Sequence, residues 1–179
     1  MKTLTKLATG RNIVILLLLF LLANLVVVPA IYPKFQTLDT LISYTPHEAY
    51  QLITSYGDQG RQTYLLIELT LDLVYPFISA LMFSLAILYS FQRALPAHPW
   101  TYKLALLPFA VMIADYIENA CIVTMLLAYP RLLPGIARLS NALTVAKLAL
   151  TPVELIFVVG LLVWFIQSLR RGRQLKGAH

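Results

Sequence analysis

"LALLPFAVMIADYIENACIVTMLLAY", residues 104–129, decides how this chain is read. The stretch is apolar and long enough to cross a bilayer, which takes about 20 residues. Halfway along it stand Asp115, Glu118 and Asn119. A charge at that depth costs about 2.5–3.5 kcal/mol on insertion scales. Carboxylates tolerated there must face something polar, and the rest of the chain shows what that is.

The 179 residues are 59% hydrophobic and 12% charged, where a soluble domain carries about 25% charged residues. The formal charge of +6 does not indicate a nucleic-acid binder. No basic patch interleaves with aromatics, and the basic residues flank apolar runs, as they do when they set topology. The single cysteine, Cys121, excludes an intrachain disulfide.

Four runs are long enough to span: 12–32, 63–91, 103–128 and 140–168. The basic start "MKTLTKLATGR" and "VPA" at 28–30 resemble a signal peptide. The apolar run is longer than a signal core, so it reads as a retained first span. Lys2, Lys6, Arg11, Arg93, Lys103, Arg170, Arg171, Arg173 and Lys176 fall on one side; Lys34, Arg61, Arg131 and Arg138 fall on the other. The richer side is cytoplasmic by the positive-inside rule, placing both termini inside. Tyr32-Pro33 and Tyr129-Pro130 then close spans on the outer side, while Trp100, Tyr102 and Trp164 suit the inner interface.

The connection 33–62 is the long one. Thr45-Pro46-His47-Glu48 matches a capping box, with Pro46 at the first helical position. Ala49, Leu52, Ile53 and Tyr56 follow at helical spacing, and Gly57 can end the helix. A short amphipathic helix over 46–56 is expected, either a connector on the headgroups or a lid over what lies below.

Three spans collect their polar residues into stripes. Glu68, Asp72, Tyr75 and Ser79 fall within about 60° of arc, at 100° per residue. Asp115, Glu118 and Asn119 share a face of the third span. Thr144, Lys147, Thr151 and Glu154 lie within about 80°, with Asn141 a turn above; the first span offers only Asn24. Lipid cannot accept polar groups at this density, so the stripes must face one another. The cluster occupies the outer half and reaches the midplane. Below it "LIFVVGLLVWFI", 155–166, is apolar, which predicts a cavity open outward and sealed inward. Pro76 and Pro152 free the carbonyls of Asp72 and Leu148 beside the cluster, shaping a pocket or merely following the frequency of proline in membrane helices.

The expected ligand-binding pocket is Glu68, Asp72, Tyr75, Asp115, Glu118, Asn119, Lys147, Thr151, Glu154 and Asn24. One lysine cannot neutralise five carboxylates, so the remainder hold protons or favour a cation. His47, His98 and His179 all lie outside the spans, and no glycine-rich phosphate loop occurs. No metal or cofactor is expected, although oxygen ligands alone would suit magnesium, calcium or manganese. Ser79 has no histidine near it, so an enzyme here would pair one protonated and one ionised carboxyl group. Partners are membrane lipids, a small amphiphile or cation, and a homo-oligomer or membrane-complex subunit, with no nucleic acid.

In architecture, this arrangement resembles the four-span sterol isomerases and their ligand-binding relatives, which bury carboxylates in a bundle pocket. The first span here carries no acid, and no histidine accompanies the glutamates. The reading is one all-α domain over 1–179, an integral membrane four-helix bundle in the plasma (bacterial inner) membrane, N-in and C-in. Its acidic, outward-opening pocket binds or acts on a lipid or an amphiphile, cationic ones included. The alternatives are a proton- or cation-coupled transporter, and a structural or accessory subunit of a membrane complex.

Overall fold

The computed structural model describes residues 2–31, 34–94 and 99–152. Tyr32, Pro33, Glu154, Trp164, the later half of the fourth expected span and the basic tail lie outside them. The described residues are helical, with no strand among them. In order they are α1 (Lys2–Leu7), α2 (Gly10–Leu22), a π turn (Ala23–Val27), α3 (Val28–Ile31), a 3₁₀ turn (Leu38–Thr40), α4 (Pro46–Ser55), α5 (Gly57–Ala94), α6 (Pro99–Leu104) and α7 (Leu107–Ala128). An eighth helix, α8, occupies 134–152.

Three of these stretches, Gly10–Ile31, Gly57–Phe91 and Tyr102–Ala128, are long and apolar enough to cross a membrane. The first starts cleanly because Thr9 caps it, its hydroxyl accepting from the Asn12 N–H at 3.3 Å. Leu18, Leu22, Leu25 and Val26 then stand exposed around it, a surface suited to acyl chains rather than water. Helix α5 has 38 residues, about 57 Å at 1.5 Å per residue, well beyond an apolar layer of about 30 Å. Its ends must therefore stand clear of that layer. It is the central helix, packed against α2 on one side and α7 on the other.

At the start of α5, residues 34–56 form a cap. The capping box at Thr45 is made: Thr45 Oγ1 accepts from the Glu48 N–H at 3.3 Å, and Glu48 Oε2 accepts from the Thr45 N–H at 2.7 Å. That backbone hydrogen bond holds the Glu48 carboxyl below its ordinary value. Gly57, at φ 63°, then reverses the chain into α5, a conformation that strains any residue with a Cβ. Ala49, Tyr50 and Ile53 of α4 are buried against Ile122, Met125, Leu126 and Ala137. Each large apolar side chain so buried contributes about 1.5–3 kcal/mol. A connector lying on headgroups would turn this face to lipid. Here it faces protein, packed on residues of α7 and α8.

Polar contacts pin the cap's strand-like approach. Asn141 Oδ1 accepts from the Tyr44 N–H at 2.7 Å and from Ser43 Oγ at 3.1 Å, and the Tyr44 hydroxyl donates to Ser140 Oγ at 2.7 Å. Burial pushes the phenols of Tyr44 and Tyr56 above their ordinary value, so both remain hydrogen-bond donors. The Tyr56 hydroxyl donates to the Gln36 carbonyl at 2.9 Å, beneath a 4.5 Å ring contact with Phe35.

Thr45→Ala should cost about 1 kcal/mol, the usual value of an N-cap, and should speed amide exchange over residues 46–49 ahead of the rest of the chain. Glu48 adds a pH dependence of known sign. Its folded-state value is depressed, so its contribution is present above the unfolded value of about 4.3 and fades as pH falls through the folded one. Exchange in α4 that is unchanged by the substitution at neutral pH would count against the cap as a separate stabilising unit.

Candidate functional site

The segment "ADYIEN" serves two structural purposes through two pairs spaced i, i+3. Asp115 and Glu118 hold the amine of α8: Lys147 Nζ lies 2.5 Å from Asp115 Oδ1 and 2.6 Å from Glu118 Oε2. Thr144, one turn before Lys147, donates to Glu118 Oε1 at 2.5 Å. Glu118 is fully buried, and the side chains of Lys147 and Asp115 are 18% and 15% exposed, so water screens this triad little.

The second pair, Tyr116 and Asn119, repairs α5. Pro76 has no N–H to give the carbonyl of Asp72, four residues earlier. Asn119 Nδ2 supplies it from the neighbouring helix at 3.1 Å, and the Tyr116 hydroxyl donates to the next carbonyl, Leu73, at 2.6 Å. The π turn of the first long helix meets α5 at the same level. There Tyr75 donates to Asn24 Oδ1 at 3.2 Å, and Asn24 Nδ2 donates to the Phe20 carbonyl at 2.8 Å.

Between α2, α5, α7 and α8 lies a cavity of about 340 Å³. Asp72, Tyr75, Asp115, Asn119, Lys147 and Thr151 line it, together with the apolar Phe20, Phe83, Val111, Met112 and Leu148. Of the residues singled out in the sequence, Glu118 stands behind Asp115 in the triad, and Asn24 stands behind Tyr75. Glu68 does not line this cavity. It lies with Asp72 and Asn119 in a separate groove between α5 and α7. Glu154 is outside the described residues.

One lining residue was not singled out in the sequence. Asp39 lines the cavity, although its position in a loop gave no sign of it. It sits in the 3₁₀ turn, where Thr40 Oγ1 donates to the Thr37 carbonyl at 2.8 Å. The chain around that turn is closely packed. Thr37, Leu38 and Tyr64 are fully buried there, and Tyr64 accepts from the Leu38 N–H at 3.2 Å while donating to Asp39 Oδ1 at 2.8 Å.

Four carboxylates, Asp39, Asp72, Asp115 and Glu118, stand on the cavity side with the one amine of Lys147, and Glu68 stands apart in the groove. Among the described residues no group of three or more His, Cys, Asp or Glu is placed to hold a metal ion. Asp72 Oδ2 is buried with no hydrogen-bond partner among those residues. Comparison with protein-family models, curated proteins and solved structures gives no match. The architectural likeness to the sterol isomerases therefore transfers no role to any residue, and function rests on the geometry alone.

Proposed function

We propose that the chain is a four-span protein of the bacterial inner membrane, N-in and C-in, and that the capped cavity binds an amphiphile through its polar, cationic end. The observation that carries this reading is the division of the cavity wall. Asp39, Asp72 and the Asp115–Lys147 pair provide hydrogen-bonding groups, while Phe20, Phe83, Val111 and Met112 provide a wall for an alkyl or ring system. Asp72 Oδ2, buried and unbonded, is the group that a ligand would satisfy.

A second reading, a polar core that only fixes helix packing, is favoured by one observation. Lys147 pairs with Asp115 and Glu118, and Thr144 bonds Glu118, without a ligand, although Glu118 Oε2 meets the ammonium as an ion pair and has no hydrogen-bond partner among the described residues. Asp39→Asn separates the two, because Asp39 lines the cavity and not the α5–α7 groove. Native mass spectrometry of protein released gently from membranes should find a copurifying amphiphile in the wild type and about tenfold less in the variant, the loss expected for one charge-assisted hydrogen bond. Equal retention in both, or no copurifying molecule, would leave the packing role alone.

The topology has its own test. Single cysteines placed at 35–60 and 130–138 should react with an impermeant thiol reagent from outside, and Ala97→Cys should be protected. External labelling at Ala97→Cys would invert the orientation.

A further inference from the structure

Glu68 raises a question that the internal cavity does not answer. It is 3% exposed, and neither carboxylate oxygen has a hydrogen-bond partner among the described residues. The adjacent Tyr64 hydroxyl gives its single proton to Asp39 Oδ1. Glu68 lines a second space of about 340 Å³, the α5–α7 groove, shared with Asp72, whose Oδ2 is also unbonded. The groove's flank is apolar and outward-facing: Leu69 and Leu73 are 55% and 57% exposed. On helices that cross a membrane, that flank faces acyl chains.

The donors around the groove are already engaged. The Tyr116 hydroxyl bonds the Leu73 carbonyl, Thr124 bonds the Ala120 carbonyl at 2.7 Å, and the Asn119 amide bonds the Asp72 carbonyl. No Lys or Arg is among the described residues lining it. The two carboxylates are therefore left to a visitor that carries both positive charge and N–H groups. They are not grouped for a single metal ion. A phosphate or sulfate would be repelled.

We propose that this groove is a binding site, distinct from the capped cavity, for the primary ammonium group of a membrane amphiphile. An ammonium offers three donors and can bridge Glu68 and Asp72, while its chain lies along Leu69, Leu73 and Val123. A quaternary ammonium has the charge but no N–H, and an alcohol has a donor but no charge. Both should bind poorly. The site rests on the membrane-spanning reading above, but not on a ligand in the capped cavity.

The test uses hexadecylamine carrying a photoreactive diazirine near its nitrogen, with the protein in phosphatidylcholine nanodiscs. Adducts are mapped by mass spectrometry against matched hexadecanol and hexadecyltrimethylammonium probes. The amine should label Leu69, Leu73, Val123 or Thr124 at least about tenfold above either control, as a charge-assisted hydrogen bond predicts. Glu68→Gln should lower that labelling by a similar factor, and Asp58→Asn, at an exposed position outside both sites, should leave it unchanged. Adducts confined to Phe20, Phe83 and Leu148 would overturn the groove site while sparing the capped cavity. Equal labelling of the groove by amine and alcohol would show ordinary lipid contact and overturn it too. So would equal labelling by the quaternary probe, or no amine adduct above controls. The comparison of probes needs only the wild-type chain, so misfolding of a variant cannot blur it.

Discussion

Replacing Lys147 with methionine should destabilise the detergent-solubilised protein by about 3–5 kcal/mol, the usual cost of removing one partner from a buried ion pair. The triad is 2:1, with one amine serving Asp115 and Glu118 at 2.5 and 2.6 Å. Without it Glu118, fully buried, keeps only the Thr144 hydroxyl at 2.5 Å. Two neighbouring anions are then left without a counter-ion. Their one remedy is to take up protons, so the loss should be smallest in acid and grow as pH rises. Neutral isosteres should behave oppositely. Asp115→Asn or Glu118→Gln removes a buried charge, keeps the shape, and leaves Lys147 its other carboxylate, so stability should change little or increase. Combining Lys147→Met with Glu118→Gln should recover part of the loss, because one buried anion disappears. Thermal unfolding across pH measures all of this. A loss below about 1 kcal/mol that ignores pH would mean that water reaches the pair and screens it as at a surface.

Asn119→Leu should cost about 1–3 kcal/mol, the penalty for leaving a buried carbonyl without its donor. Pro76 makes this amide necessary. The carbonyl of Asp72 has lost its own helical N–H and is served instead by Asn119 Nδ2 at 3.1 Å. Pro76→Ala restores an N–H at that place, so in its background the same Asn119→Leu change should cost much less. The coupling in this double-mutant cycle should exceed about 0.5 kcal/mol, the scatter expected of independent sites. Strict additivity would show that α5 does not depend on α7 for that bond. Asn119 also walls both the capped cavity and the α5–α7 groove. Losing it should therefore disturb ligand retention at both, whereas Tyr116→Phe keeps the ring that lines the groove and should chiefly cost stability, by about 1 kcal/mol.

The spacing of residues along one helix was enough to set several of these features. Asp115 and Glu118, three apart, had to share a face, and a lone Lys147 in the last apolar run had to find a carboxylate; both follow from 100° per residue and the cost of an unpaired charge. The capping box at Thr45–Glu48 is likewise local, since donor and acceptor are three residues apart. What lies between helices was not legible in this way. Glu68 and Asp72 fall within one arc of α5, yet only Asp72 reaches the capped cavity; both line the outer groove beside α7. Periodicity fixes the angle of a side chain about its own axis, not its height relative to a neighbour or the side of that neighbour it passes. Asn119 reads as part of a polar face and Tyr116 was not singled out, but the role of both depends on Pro76, some forty residues earlier in a different helix. The same limit hid Asp39. It falls in the long connection 33–62, and only the burial of Leu38 against Tyr64 and the α7 residues Ile122 and Met125 brings it to the cavity wall.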